Sequence, residues 1–343
     1  MKHRRIRAAL SAVVASTALL LTACVSGEDA GSARSADDDR PLAGQVLDID
    51  FATYNPLSLI IKDQGWLEAR GLQVNWVQSA GSNKANEALR AGANDVGSTA
   101  GSAALLARSN GSPIRTIAIY SQPEWAALVA PKGSPITDVA QLRGKNVAAT
   151  KGTDPYFFLL QALDANGLSA QDITVQNLQH ADGWAALQNG SVDAWAGLDP
   201  IMAGAEQTGA TLFFRDVNFN SYGFLNARED FLTEQPELAQ LVVDAYAAAA
   251  QWAAANPDRT AEILADVAGL DLPVAQKVIT ERSNLDVEQV PGAAQIAVLE
   301  KIGPIFVDLG DVPSRQQVDD ALAGLIDDSF ATKADPGRIP SSS

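Results

Sequence analysis

Apolar positions along the chain change period at regular intervals, from every second residue to every third or fourth and back. Residues 46–51 (VLDIDF) read as a strand, and Asn55-Pro56 then supplies a cap and a first-turn proline for a helix running to about Trp66. The unit recurs every 20 to 30 residues: strand 72–78, helix from Ala80-Gly81-Ser82 to Gly92, strand 95–98, helix from Ser102. Residues 115–120 and 126–131 are extended runs split by the polar Ser121-Gln122-Pro123-Glu124, which reads as a crossing between two lobes. Beyond it strands are predicted at 146–150, 173–177, 192–195 and 212–214, and helices at 137–142, 154–166, 182–188 and 200–208. Residues 222–226 then form an extended return to the first lobe. From Pro236 helices dominate: Leu238, Leu241, Val242, Ala245, Tyr246, Ala249, Trp252 and Ala253 make one apolar stripe, stopped by Asn256-Pro257. This alternation predicts an α/β protein of two lobes, each a mostly parallel sheet flanked by helices, with ligands gathering outside the carboxyl ends of the strands. There is no repeat of fixed period, which argues against solenoids and propellers.

Both chain ends fall outside that rhythm. Met1-Lys2-His3-Arg4-Arg5-Ile6-Arg7 is basic, and the 14 residues 8–21 are uncharged and mostly apolar. That run is shorter than the roughly 18 residues that span a bilayer, so 1–23 reads as an export signal. It ends in Leu21-Thr22-Ala23-Cys24, which resembles a lipobox, where the cysteine thiol takes the diacylglycerol and becomes residue one. Cys24 therefore places the protein outside the cytoplasm, held to the cell membrane by lipid. It is also the only cysteine, so the fold holds without an internal disulfide. Residues 24–44, with Asp37-Asp38-Asp39-Arg40, read as a flexible tether, and 331–343 as a flexible tail. Between them the expected organisation is lobe one at 45–121 and 222–330, and lobe two at 122–221.

Charge narrows the partners. Four of the 25 Lys and Arg residues lie in the first seven positions, which leaves 21 bases against 41 acids, a net −20, for the rest of the chain. A body this acidic lacks the basic face that nucleic acid requires, so no nucleic-acid partner is expected. With 343 residues, 47% of them hydrophobic and 19% charged, the chain is long enough for two packed units and is expected to act as a monomer. Only two histidines occur, His3 in the signal and His180 in a loop, so no zinc site or catalytic triad is indicated and no metal or cofactor is expected. Neither a GxxxxGK[ST] cradle nor a GxGxxG after a strand is present. Carboxylate pairs such as Asp37-Asp38 and Asp327-Asp328 lie in tether or helix-end contexts that suit solvated charge.

The run 131–147, PKGSPITDVAQLRGKNV, resembles a signature of periplasmic binding proteins from the nitrate, aliphatic sulfonate and taurine uptake family. Lys151-Gly152-Thr153, the run 187–195 (LQNGSVDAW) and Asp199-Pro200 follow like that family's later motifs, in the same order and spacing. The resemblance spans nearly all of the chain after the signal and is weakest in the C-terminal helices. It implies a type II periplasmic-binding-protein fold, not an enzyme, serving an ABC permease and its ATPase by capturing a small-molecule solute between the lobes. In such a receptor strand-to-helix loops face one cleft, where helix N-termini offer N–H groups and partial positive charge. Tyr54 and Asn55, Gly81 and Ser82, Thr99 and Ser102, and Gly152, Thr153 and Asp154 occupy four such loops. The expectation is that Thr153 with the backbone of Gly152 meets a polar head from lobe two, and Ser82 or Ser102 from lobe one.

Tyr54, Trp125, Tyr156, Trp184 and Tyr222 lie at loop or crossing positions where a solute's apolar body could stack. Asp199 either caps the helix from Pro200 or meets an amine, as an amino-sulfonate would carry. One departure stands out. The resemblance implies a neutral small polar residue where this chain has Asp154, followed by Pro155, and none of the four loops contains an arginine. A small organic sulfonate or a taurine-like solute is the first reading. A neutral heterocycle, as in the thiamine-precursor branch of the fold, is the alternative, and that branch's histidine-dependent suicide enzyme is set aside for want of histidines. An extracytoplasmic enzyme built on His180, or a signalling lipoprotein without ligand, are the other classes.

Overall fold

A computed structural model describes residues 42–339; Cys24 and the signal lie outside the described residues. The first sheet opens with β1 (Val46–Phe51), followed by α1 (Pro56–Gln64), α2 (Trp66–Ala69), β2 (Gln73–Gln78), α3 (Ser82–Ala91), β3 (Val96–Ala100), α4 (Gly101–Ser109) and β4 (Ile114–Ser121). The chain then crosses into a second sheet of β5 (Ala126–Ala130), β6 (Asn146–Ala149), β7 (Thr174–Asn177), β8 (Ala194–Leu198) and β9 (Thr211–Phe214), interleaved with α5 (Asp154–Ala165), α6 (His180–Gln188) and α7 (Ile201–Gln207). It returns through β10 (Gly223–Arg228) to the first sheet. Helices α8 (Glu229–Glu234), α9 (Pro236–Ala255), α10 (Pro257–Ala268), α11 (Leu272–Lys277), α12 (Ala293–Asp308) and α13 (Arg315–Leu325) complete the chain.

The sheets have one plan, with orders β2-β1-β3-β10-β4 and β7-β6-β8-β5-β9. The βα units pair in parallel, as their alternation predicts: β1 with β2 and β3, and β6 with β7 and β8. The strand that has just crossed from the other sheet breaks the pattern. β10 runs antiparallel to β3 and β4, and β5 antiparallel to β8 and β9. The register gives the cause: Gly223, the first residue of β10, sits opposite Ala100 and Ser121, the last residues of β3 and β4. A strand entering at the carboxyl ends of its neighbours must run against them. Both crossings therefore lie where the parallel strands end, and the helix starts that follow those strands gather at the same seam.

Strands β3, β5 and β8 are buried along their whole length, which matches their near-continuous small and apolar composition, VGSTA, AALVA and AWAGL. The stripe on α9 packs as its spacing predicts, with Leu238, Leu241, Val242, Ala245, Tyr246 and Ala249 buried. A second cluster of Val129, Leu187, Trp195 and Met202 fills the far side of the second sheet. The stretch read as the start of a flexible tail is held down as far as Ile339. Arg338 Nη1 donates to Asp244 Oδ2 at 2.8 Å, and Arg70 Nη1 donates to the Arg338 carbonyl at 2.9 Å.

Candidate functional site

The seam between the sheets is built around Asp154, the first residue of α5, which is 1% exposed. Its Oδ1 accepts from Ser102 Oγ and Ser221 Oγ, each at 2.6 Å. Its Oδ2 accepts from Trp125 Nε1 at 2.7 Å and from the Ser221 backbone N–H at 2.8 Å. Ser102 lies at the start of α4, on the first sheet, so this carboxylate bonds one lobe to the other. Burial pushes the Asp154 carboxyl above the usual carboxylate range, and its hydroxyl, indole and backbone donors pull it back. The N-terminus of α4 is spent on the return crossing: Gly101 N–H donates to the Tyr222 carbonyl at 2.9 Å, and Ser102 N–H to Ser221 Oγ at 3.1 Å.

Tyr54 stands beside this hub. Its ring meets Trp125 edge-on, with centroids 6.1 Å apart, and its hydroxyl donates to the Ser98 carbonyl at 3.1 Å. Asn55 caps α1 by accepting from Ser58 N–H at 3.3 Å, and its amide donates to Tyr246 Oη at 3.0 Å. Deeper in the first lobe Asp50 is fully buried and accepts from Ser98 N–H at 2.9 Å. Burial raises its carboxyl to about 7, against the pull of Ser79 and Ser98.

A small cavity adjoins Tyr54 and Trp125, walled also by Thr53, Ser121, Asp199 and Arg282. Its volume of about 10 Å³ is room for roughly one water molecule, so the lobes are closed on each other here. Asp199, just after β8, takes the first of the two roles the sequence offered, capping the helix that follows, and its cationic partner is a guanidinium of this chain. Its Oδ1 accepts from Ala203 N–H in α7 at 2.9 Å, and both its oxygens lie 3.2 Å from Arg282 Nη1. Burial raises its carboxyl to about 6 although Arg282 and Ala203 pull it down. The other Nη of Arg282 pairs with Glu206, which Lys277 also reaches at 3.2 Å. Arg282 Nε is buried without a partner.

A third contact zone joins α3 to α6. A Cβ on Gly81 would lie 3.0 Å from His180 Nε2 and 2.9 Å from Asn83 Oδ1, so a side chain there would press on His180 of the second lobe. Gly152, at φ +75°, faces Asn83 from the second lobe. Thr150 Oγ1 donates to the Leu178 carbonyl at 2.7 Å and lies 3.2 Å from His180 Nδ1. The hydroxyl proton being committed, Nδ1 must be the donor, which leaves Nε2 as a bare acceptor; it is buried without a partner. Desolvation lowers the imidazole to about 4, so His180 is neutral at physiological pH.

The structure thus brings Tyr54, Ser102, Trp125, Asp154 and Asp199 to one seam, with Gly81 and Gly152 at its edge. Other candidates have local duties. Ser82 Oγ accepts from Ala100 N–H at 2.9 Å, and Thr99 Oγ1 accepts from Asn226 Nδ2 at 2.8 Å. Thr153 Oγ1 donates back to the Thr150 carbonyl at 2.6 Å. Tyr222 contributes its carbonyl to α4, and Tyr156 is buried against Phe157. Trp184 lies apart, packed on Trp195 at 5.9 Å in the second cluster. Sequence reasoning missed Ser221 and Arg282. Ser221 borders a predicted crossing and could have been found there, whereas Arg282 sits in a helical run with no motif around it. Among the described residues no group of three or more His, Cys, Asp or Glu side chains is placed to hold a metal ion.

Comparison with known proteins gives this geometry relatives. A family model described as NMT1/THI5 like matches residues 58–260. An aliphatic sulfonates-binding protein of Escherichia coli (strain K12) is 29% identical over 250 residues, covering 72% of this chain and 78% of that protein. The riboflavin-binding protein RibY of Chloroflexus aurantiacus is 25% identical over 267 residues, 71% of this chain and 74% of that protein. The solved structure of the alkanesulfonate-binding protein SsuA from Xanthomonas axonopodis pv. citri, bound to MOPS, matches with a TM-score of 0.74 at 26% identity, covering 81% of this chain and 98% of that one.

Proposed function

The chain belongs to the NMT1/THI5-like family, and from that premise we propose that it is the lipid-anchored receptor of an ABC importer, taking a small organic sulfonate or taurine-like solute between its lobes. The observation that carries the reading is the seam itself, where loops at the carboxyl ends of both sheets meet through Ser102 and Asp154. Opening about the two crossings would expose the Tyr54–Trp125 pair to an apolar body and the polar hub to a head group, and closing would bury both. Solute affinity and permease docking then report one conformational equilibrium. Within the sulfonates, a taurine-like zwitterion suits a cleft that carries both the Asp154 carboxylate and the Arg282 guanidinium. A neutral heterocycle is the second reading, favoured by the edge-on aromatic pair and by the RibY relative.

The test is thermal unfolding and calorimetry of the purified protein against taurine, ethanesulfonate, nitrate, an aminopyrimidine and riboflavin, with product analysis. A cognate solute at about 100 times its Kd should stabilise the fold by roughly 2.7 kcal/mol and remain chemically intact. No stabilisation by any member would count against the receptor, and turnover abolished in His180→Ala would replace it with an enzyme. The anchor has its own test. Cys24→Ser should abolish labelling by a radioactive fatty acid, and a serine variant that still takes the label removes the lipid from the proposal.

A further inference from the structure

Helices α4 and α5 belong to different sheets, yet they begin at one point, and the group between them is the Asp154 carboxylate. A position that two helix starts and several N–H and O–H donors converge on is where an external anion would be received. Here the chain fills it from within. Both carboxylate oxygens already accept two hydrogen bonds each, from Ser102, Ser221 and Trp125, and none of these partners is charged. The Trp125 indole and the Ser221 backbone N–H can only donate, so Oδ2 is a bare acceptor, while Oδ1 faces two hydroxyls that can donate to it or accept from it. The cation across the cavity, Arg282, is already matched by Asp199 and Glu206. The seam therefore holds a buried carboxyl group without a cationic partner of its own.

We propose that Asp154 is an internal counterpart of the solute's head group: it latches the closed lobes through Ser102, and it sets the receptor toward heads that donate hydrogen bonds or carry an amine and against plain anions such as alkanesulfonates. This deepens the receptor reading and rests on it. A second anion brought into the hub would compete for donors already committed to Asp154, and would face a like charge in a poorly screened site wherever that carboxyl is ionised. An ammonium or a ring N–H would instead find an acceptor on Oδ1 in the open form, where the Ser102 bond is released. Closure in turn has two sources, the solute and the Ser102–Asp154 bond, so weakening the bond favours the open form.

The test compares wild type with Asp154→Asn, close in shape and uncharged, and Asp154→Ser, with ethanesulfonate and taurine as probes in calorimetry at fixed salt. A second measurement follows the lobes without solute, using spin labels on Val46→Cys and Val217→Cys, two exposed positions, one in β1 of the first sheet and one in the short turn after β9 of the second, in a Cys24→Ala background. Ethanesulfonate should bind both variants at least about tenfold more tightly than wild type, taurine should gain less, and the interlobe distance should lengthen in Asp154→Ser. A wild type that binds ethanesulfonate as tightly as Asp154→Asn overturns the inference and leaves the receptor standing. Silence of all three proteins toward both probes, with an unchanged interlobe distance, overturns it as well.

Discussion

Arg282 shows how much of the seam depends on single side chains. Its side chain is 1% exposed, and the carboxylate it matches, Asp199, is 4% exposed. A buried pair of this kind adds little over an apolar pair of the same shape, but removing one partner strands the other charge in a poorly screened interior. Arg282→Met should therefore cost about 3–5 kcal/mol in urea unfolding, and a loss below about 1 kcal/mol would mean that Asp199 is relieved some other way. Half of this pair was legible in the sequence. Asp199 announced itself through the Asp-Pro step after a strand, a position whose carboxylate either caps or binds. Arg282 did not, because a long-range partner 83 residues away leaves no periodic trace in its own segment. Thr153 shows the reverse limit. Sequence placed it correctly at a helix start, but only the coordinates show its hydroxyl donating to the Thr150 carbonyl rather than facing the seam. Motif position fixes where a side chain begins, and rotamer and neighbours fix what it touches.

Among the elements, the crossing strands were the hardest to read and are the most constrained. The sequence pattern read residues 222–226 as an extended return to the first lobe. It carries no information on direction, so the antiparallel insertion of β10 between β3 and β4 emerged only from register. Two of the βα units carry a helix-start signal as well as the change of period: Asn55 caps α1, and Pro155 occupies the first turn of α5. Gly223 marks the point where the return crossing enters its sheet. A Cβ there would overlap the Tyr120 ring and the Ser121 hydroxyl, and Tyr120 is fully buried and cannot yield freely. Gly223→Ala should thus destabilise the fold by roughly 1–3 kcal/mol, the range for overpacking a closed core. Because the strain lies at a hinge, solute affinity should fall too. A variant with unchanged Tm would show that Tyr120 swings aside without cost.

At the scale of the whole molecule, the buried titratable groups make stability a function of pH with opposing parts. Asp50 is raised to about 7 and Asp199 to about 6 against an unfolded value near 3.8. The native state therefore binds protons that the unfolded chain has released, and the stability these groups contribute is complete below pH 3.8 and is lost as pH rises through 6 to 7. His180 runs the other way. Its imidazole, lowered to about 4 from 6.5, contributes stability present above pH 6.5 that is lost as pH falls toward 4. Between about pH 4.5 and 6 the native state holds two extra protons on the carboxylates and lacks one on the imidazole. The net excess of one proton gives these three groups together a slope of about −1.4 kcal/mol per pH unit. Single variants separate the parts. Asp50→Asn should flatten the decline toward neutral pH, while His180→Gln, which removes the opposing titration, should steepen it. Urea unfolding at half-unit steps from pH 4.5 to 7.5 reads both. An Asp50→Asn profile parallel to wild type would mean that the Ser98 donors keep Asp50 ionised in the fold, and the first lobe would then carry a buried charge across the range measured.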